Sequence, residues 1–205
     1  MTTASSSNCR TVLALASSSP RRRELIGLIG LPVRIVPSGA DESTPPDWSP
    51  SLIVEQLSLR KAQASVRHLE PTADERTIVV GSDTIVVLDG AAMGKPAGEE
   101  DAKAMLRRLS GRTHEVYSGV CCLEPETGRT ELAHQVTRVR MKELSEERIA
   151  RYVATREPFD KAGAYGIQGR GALLVDGIDG CFFNVVGLPV ALLADLLERL
   201  GVDLP

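Results

Sequence analysis

The sequence predicts an α/β protein, one unit built around a mixed sheet with helices packed on it, in one lobe or two. Three observations carry that class. Apolar runs of strand length mix with stretches of helix length from Thr11 to Gly201. Cap and turn signals separate them, among them Ser19-Pro20, Asp89-Gly90 and Ser110-Gly111. No internal repeat or low-complexity tract interrupts the mixture.

The elements follow in order. Residues 11–16 read as a short buried strand. Ser19 then caps a helix with Pro20 at its first position, running to about Gly30. Residues 33–37 form a second strand, and 38–50 an acidic loop holding Pro45, Pro46 and Pro50. A long helix spans 51–69. Residues 77–80 and 85–88 read as two strands, the second ending at the hairpin signal Asp89-Gly90. A helix over 99–109 stops at Gly111. Residues 115–123 and 130–141 are strands; in the second, Thr137, Val139 and Met141 share one face. Ser145 caps the next helix, with Glu146 and Glu147 in its positive first turn and Leu144 and Ile149 placed as a hydrophobic staple. After a glycine-dense stretch, 163–171, strands over 172–175 and 181–186 flank Asp176-Gly-Ile-Asp-Gly180. Pro189 starts a last amphipathic helix, closed by Gly201.

Composition narrows the function classes. With 42% hydrophobic residues over 205 positions, the chain can bury a sizeable core. Seven aromatic residues leave few stacking platforms for single-stranded nucleic acid. A net charge of −3 makes a poor general binder of nucleic-acid backbone. Residues 1–40 nevertheless carry five Arg against the single acid Glu24. The four cysteines form no C-x-x-C pair, and His68, His114 and His134 share no ligand spacing, so neither a disulfide framework nor a zinc site is expected. There is no signal-peptide core and no membrane-length apolar run. The expectation is a cytoplasmic protein with residues 1–10 disordered ahead of one unit over 11–205.

Five stretches carry residues that stability alone does not explain. Ser17-Ser-Ser-Pro-Arg-Arg-Arg23 sets cations where the helix macrodipole prefers acids. It is either a screened, solvated cap or an anion site in which Ser18, Ser19, Arg21 and Arg22 converge on phosphate. Lys61 shares a helix stripe with Ile53, Leu57, Ala64 and His68, so it either snorkels or is aimed at a site. Asp83, in Gly81-Ser-Asp-Thr84, lies between two strongly apolar runs. It is a turn residue, or a carboxylate at a strand end facing a site as general base or metal ligand. Gly94-Lys-Pro96 is an ordinary turn or a place where a ligand approaches Lys95 closely; no Walker A pattern precedes it. Asp160-Lys-Ala-Gly-Ala-Tyr-Gly-Ile-Gln-Gly169 is a surface loop, or a site in which the Gln168 amide reads the edge of a base.

In this order, and with Leu15-Ala-Ser-Ser-Ser-Pro-Arg-Arg22, Leu109-Ser-Gly-Arg-Thr-His114 and Asn184-Val-Val-Gly-Leu-Pro189, these stretches resemble the Maf family of nucleotide pyrophosphatases over nearly the whole chain. The resemblance implies a mixed elongated sheet flanked by helices, like that of inosine triphosphate pyrophosphatases, with two lobes around a cleft. It implies hydrolysis of a nucleoside triphosphate to monophosphate and pyrophosphate with Mg²⁺ or Mn²⁺, and a possible homodimer. The loop ending at Gly169 looks like that of the branch acting on dTTP and UTP, rather than the branch acting on 7-methyl-GTP. Carried over residue by residue, Asp83 matches the catalytic proton acceptor. Arg21, Thr84 and Gln168 match positions that set specificity, and Lys61 and Lys95 match phosphate-contacting lysines. Glu42, or the adjacent Asp41, matches an acid at the metal, which Asp83 would share. Arg23 and the longer N-terminus have no counterpart. The competing class is a non-enzymatic regulatory protein linked to septum formation, its Arg cluster binding a partner or DNA.

Overall fold

A computed structural model describes residues 10–70, 72 and 74–204. The expected disordered segment lies outside these residues except for Arg10, which begins the first strand. The strands are β1 (Arg10–Leu15), β2 (Val33–Ile35), β3 (Glu75–Leu88), β4 (Ala91–Met93), β5 (Thr113–Leu123), β6 (Thr130–Met141) and β7 (Val175–Asp179). The helices are α1 (Pro20–Ile26), α2 (Pro50–Val66), α3 (Glu99–Leu109), α4 (Glu146–Val153), α5 (Phe182–Val186) and α6 (Val190–Arg199). One mixed sheet runs in the order β2-β1-β3-β5-β6-β7, with β4 attached to β3. The pairings β1–β2 and β1–β3 are parallel and the others antiparallel. This is the mixed, helix-flanked α/β sheet that the sequence predicts.

Most caps form as the local chemistry dictates. The Oγ atoms of Ser19, Ser49 and Ser145 accept from backbone N–H groups at the starts of α1, α2 and α4. Asp89 and Gly90 both take positive φ, 53° and 76°, closing the β3–β4 hairpin. Leu144 and Ile149 join the same apolar cluster, as a staple requires.

Three expectations need correction. Residues 77–80 and 85–88 are not two strands but parts of the single fourteen-residue β3, so Asp83 lies mid-strand rather than in a turn or at a strand end. Residues 172–175 mostly form a 3₁₀ turn, Gly169–Leu174, and the expected turn 176–180 belongs largely to β7. Asp and Gly are tolerated there because β7 is an edge strand and Asp176 pairs with Arg140 at 2.6 Å. Residues 181–186 form α5 instead of a strand. A short apolar run suits either state, and the helix lets buried Asn184 donate to Val116 O (3.0 Å) and Thr137 Oγ1 (2.9 Å).

Two apolar clusters on one sheet face prepare a cleft. Ile78 and Val80 of β3 pack with Leu15, Ile26, Leu193 and Leu197. Val86 and Leu88 of the same strand pack with Leu106, Leu109, Val139 and Ile149. Side chains alternate along a strand, so this face of β3 reads Ile78, Val80, Ser82, Thr84, Val86, Leu88. The hydroxyls of Ser82 and Thr84 mark the interval between the two lobes.

Candidate active site

Strand pairing itself opens the site. The β1 edge of β3 is paired as far as Leu15–Val80, and β4 takes that edge up again at Val86–Met93. Between these points Gly81–Ile85 have a partner only on the β5 side. The turn leaving β1 at Ala16–Arg22 and the turn leaving β4 at Gly94–Lys95 flank this gap, and a cleft of about 930 Å³ fills it. It lies beyond the carboxyl end of β1, where open α/β sheets bind their ligands.

Two glycines bring α2 onto this part of the sheet. A Cβ at Gly81 would lie 2.0 Å from Ser58 O, and one at Gly119, opposite Asp83 on β5, 2.2 Å from Val54 O. With α2 seated this close, Lys61 meets Asp83: Nζ donates to Oδ1 at 2.6 Å, and both side chains are about one-tenth exposed. The same ammonium lies 2.8 Å from Oε1 of Glu42, on the loop before α2. Lys61 thus bridges a buried carboxylate and an exposed one. Its hydrogen bond, reinforced by its charge and by those of Lys95 and Arg22, holds the Glu42 carboxyl below its usual pKa. Asp41 turns away, accepting from Ser43 N (2.9 Å) and Oγ (2.6 Å).

The opposite face of β3 organises an arginine. Thr84 Oγ1 accepts from Arg22 Nη2 at 3.0 Å and lies 2.8 Å from Ser118 Oγ. Gly187 O accepts from Arg22 Nε at 2.8 Å and from Ser82 Oγ at 3.2 Å. Burial lowers the pKa of Arg22, and the nearby Asp83 opposes that shift. Across the mouth, Arg21 reaches from α1 to Asp160 at 3.2 Å, which also pairs with Lys161 at 2.6 Å. Partial burial works against ionisation of Asp160, but the hydrogen bond and charge of Lys161, with Arg21, keep its pKa low. Gln168 and Tyr165 line the same cleft.

A family model described as Maf-like protein matches residues 12–200. The chain belongs to the Maf family. It is 50% identical over 93% of its length to a dTTP/UTP pyrophosphatase of Moorella thermoacetica, 96% of which is covered. It is 48% identical to one from Pelotomaculum thermopropionicum (93% and 97% covered) and 47% identical to one from Bacillus cereus (93% and 96%). Among solved structures, the Staphylococcus aureus Ham1 protein aligns over 64% of this chain and 72% of its own, with TM-score 0.46 and 12% identity.

The Maf cleft gathers every site residue expected from the sequence: Ser18, Ser19, Arg21, Arg22, Glu42, Lys61, Asp83, Thr84, Lys95 and Gln168. Two details differ from expectation, and Arg23, for which no role was expected, stays outside the cleft. The helix after Ser19 has only seven residues, and its Arg22 N–H is already capped by Ser19 Oγ at 3.4 Å. The convergent donors at this end of the cleft are therefore chiefly guanidinium groups. Arg23 is exposed in the last turn of α1 and does not line the cleft. The lysine stripe is also rotated: the buried face of α2 is Val54, Leu57, Ser58, Lys61, Ala62 and Ser65, while His68 is exposed. Sequence reasoning missed Ser118 and the Gly119 contact. A glycine inside a strand, which signals close backbone approach, was the available clue to the second.

Proposed function

We propose that this Maf protein hydrolyses dTTP and UTP, together with related modified pyrimidine nucleotides, to the monophosphate and pyrophosphate as a house-cleaning enzyme. The observation that carries the chemistry is the Asp83–Lys61–Glu42 chain, at the unpaired stretch of β3 in a cleft also lined by Arg21, Arg22 and Lys95. The names of the relatives supply the nucleotide class.

In this reading Asp83 accepts a proton from a water that attacks the α-phosphorus. A new P–O bond forms, the bond from the α-phosphorus to the bridging oxygen breaks, and pyrophosphate leaves with that electron pair. Lys61, Lys95 and Arg22 stabilise the charge that develops on phosphate oxygens. Thr84 sets the Arg22 guanidinium, and Arg21 exchanges Asp160 for a phosphate. The Gln168 amide meets N3–H and O4 of the pyrimidine, using its acceptor and its donor.

A divalent cation, Mg²⁺ or Mn²⁺, suits this donor set. Glu42 and Asp83 present hard oxygens toward one point, now held by the Lys61 ammonium, and no third acid, His or Cys completes a cage among the described residues. Mg²⁺ is commonly held by one or two carboxylates plus substrate phosphates. Glu42 and Asp83 would hold it, and it would supply further charge neutralisation on the triphosphate.

A cytoplasmic setting suits the free thiols Cys121, Cys122 and Cys181; no helix among the described residues is long and apolar enough to cross a membrane. The test is pyrophosphate release from a nucleotide panel with Mg²⁺. Turnover of dTTP and UTP well above 7-methyl-GTP and purine nucleotides is expected. Release from none of them would favour the regulatory class, and release from 7-methyl-GTP alone would move the chain to the other branch.

A further inference from the structure

His114 is buried at 2% exposure on β5, and none of its hydrogen bonds among the described residues reaches a phosphate-facing group. Its Nε2 lies 2.7 Å from Tyr165 Oη, the rings meet edge-on with centroids 5.3 Å apart, and its Nδ1 has no partner among the described residues. A core position that needed only volume would be better filled by Leu or Phe, which bring no polar atom to satisfy. The histidine therefore calls for an account in terms of the one group it holds.

That group sits in the loop carrying Gln168. The loop is fixed at several points: Gly163 N donates to Gly94 O at 3.0 Å, Gly166 N to Tyr152 Oη at 3.3 Å, and Arg170 N and Gly171 N to the Glu157 carboxylate at 3.2 and 3.3 Å. Tyr152 and Glu157 are near the loop in sequence, and Gly94 follows β4 at the edge of the sheet. His114 ties the loop to β5, in the middle of the sheet. Alternation places His114, Val116 and Ser118 on one face of β5; Val116 lines the cleft and Ser118 meets Thr84. The strand that braces Thr84 therefore also braces Tyr165, three residues before Gln168.

We propose that His114 is a positioning residue for nucleobase selection: through its hydrogen bond with Tyr165 it fixes the loop against β5 and sets where the Gln168 amide meets the base. The inference rests on the reading of Gln168 as the base-contacting group. A site built to hydrogen-bond a base edge discriminates only while its donor and acceptor are held in register. Releasing Tyr165 lets the Gln168 amide meet thymine and cytosine with more equal ease.

The test is steady-state kinetics with dTTP and dCTP for wild type, His114→Phe, His114→Gln, Tyr165→Phe and Gln168→Ala, with circular dichroism and thermal midpoints as controls on folding. His114→Phe and Tyr165→Phe are each expected to lower the dTTP-to-dCTP ratio of kcat/KM roughly fivefold, the scale of one lost hydrogen bond. KM for dTTP should rise more than kcat falls. His114→Gln, whose amide can still meet the phenol, should recover part of the ratio. The double variant should be no worse than either single one, because both remove the same bond. If folded His114→Phe keeps the wild-type ratio while Gln168→Ala loses it, His114 has no positioning role and the base-reading role stands. If Gln168→Ala itself keeps the ratio, the base-reading role falls and this inference with it. Should His114→Phe fail to fold, Tyr165→Phe removes the bond at the cost of a single oxygen, and an unchanged ratio there overturns the proposal equally.

Discussion

Asp83 owes its place to one partner. A carboxylate inside a strand, flanked by Val79, Val80, Ile85 and Val86, is costly unless paired, and Lys61 supplies the pair at 2.6 Å. Asp83→Asn keeps an acceptor for Lys61 but removes the proposed base. Turnover of dTTP should fall by roughly two orders of magnitude or more while the thermal midpoint changes little; near-normal turnover would remove Asp83 from the base role. His114 makes a separate prediction. Burial pulls its pKa down to about 4 from the ordinary 6.5. Below pH 6.5 the unfolded chain takes up a proton that the folded chain refuses, so stability falls as pH drops from 6.5 toward 4. The loss approaches about 3 kcal/mol below pH 4, and above 6.5 the group has no effect. Urea titrations of wild type and His114→Phe across that window should show wild type losing stability relative to the variant on acidification. A gap independent of pH would mean that His114 titrates normally in the folded protein.

At the scale of the element, the site depends on α2 lying almost against the sheet. Gly119→Ala puts a Cβ 2.2 Å from Val54 O, where backbone rather than a flexible side chain must give way. About 3 kcal/mol of destabilisation is expected, together with reduced turnover as Lys61 is lifted from Asp83. Gly27→Ala, at φ −61° with nothing within 4 Å of the new atom, is the matched control and should be neutral or slightly stabilising. Equal losses in both variants would sink the contact argument. The same contact explains what the sequence could and could not reveal. Caps, the Asp89-Gly90 hairpin and the alternation on β6 depend on neighbours a few residues away, and each reads correctly. Gly81-Ser-Asp-Thr84 looks like a turn because its polar groups find partners far along the chain: Lys61 for Asp83, Gly187 and Ser118 for the hydroxyls. The run 181–186 is a helix because Asn184 reaches β5 and β6. The site residues were legible as a set through their resemblance to a family. Their division between the two faces of β3 was not, because it follows from a strand continuity that apolar patterning alone does not specify.

Over the whole molecule, charge is distributed against its own average. The chain carries −3, yet the cleft sets five cations, Arg21, Arg22, Lys61, Lys95 and Lys161, against four carboxylates, Glu42, Asp83, Glu157 and Asp160. Several of these are already satisfied in pairs, and the Arg21–Asp160 contact joins α1 to the loop of the other lobe across the mouth. A triphosphate must compete for Arg21, whereas Lys95 is exposed and has no ion pair among the described residues. Attraction at the mouth therefore acts through water and is screened by salt, while the buried Lys61–Asp83 pair is largely protected from it. Raising NaCl from about 50 to 500 mM, which shortens the Debye length from roughly 14 to 4 Å, should increase KM for dTTP severalfold and change kcat by less than about twofold. Lys95→Ala should raise KM at low salt and flatten this dependence, because it removes the most exposed of the attracting charges. Asp160→Asn should lower KM by freeing Arg21 from its competitor. A KM insensitive to salt in wild type, or the same salt slope with and without Lys95, would mean that the triphosphate is not drawn in by these cations.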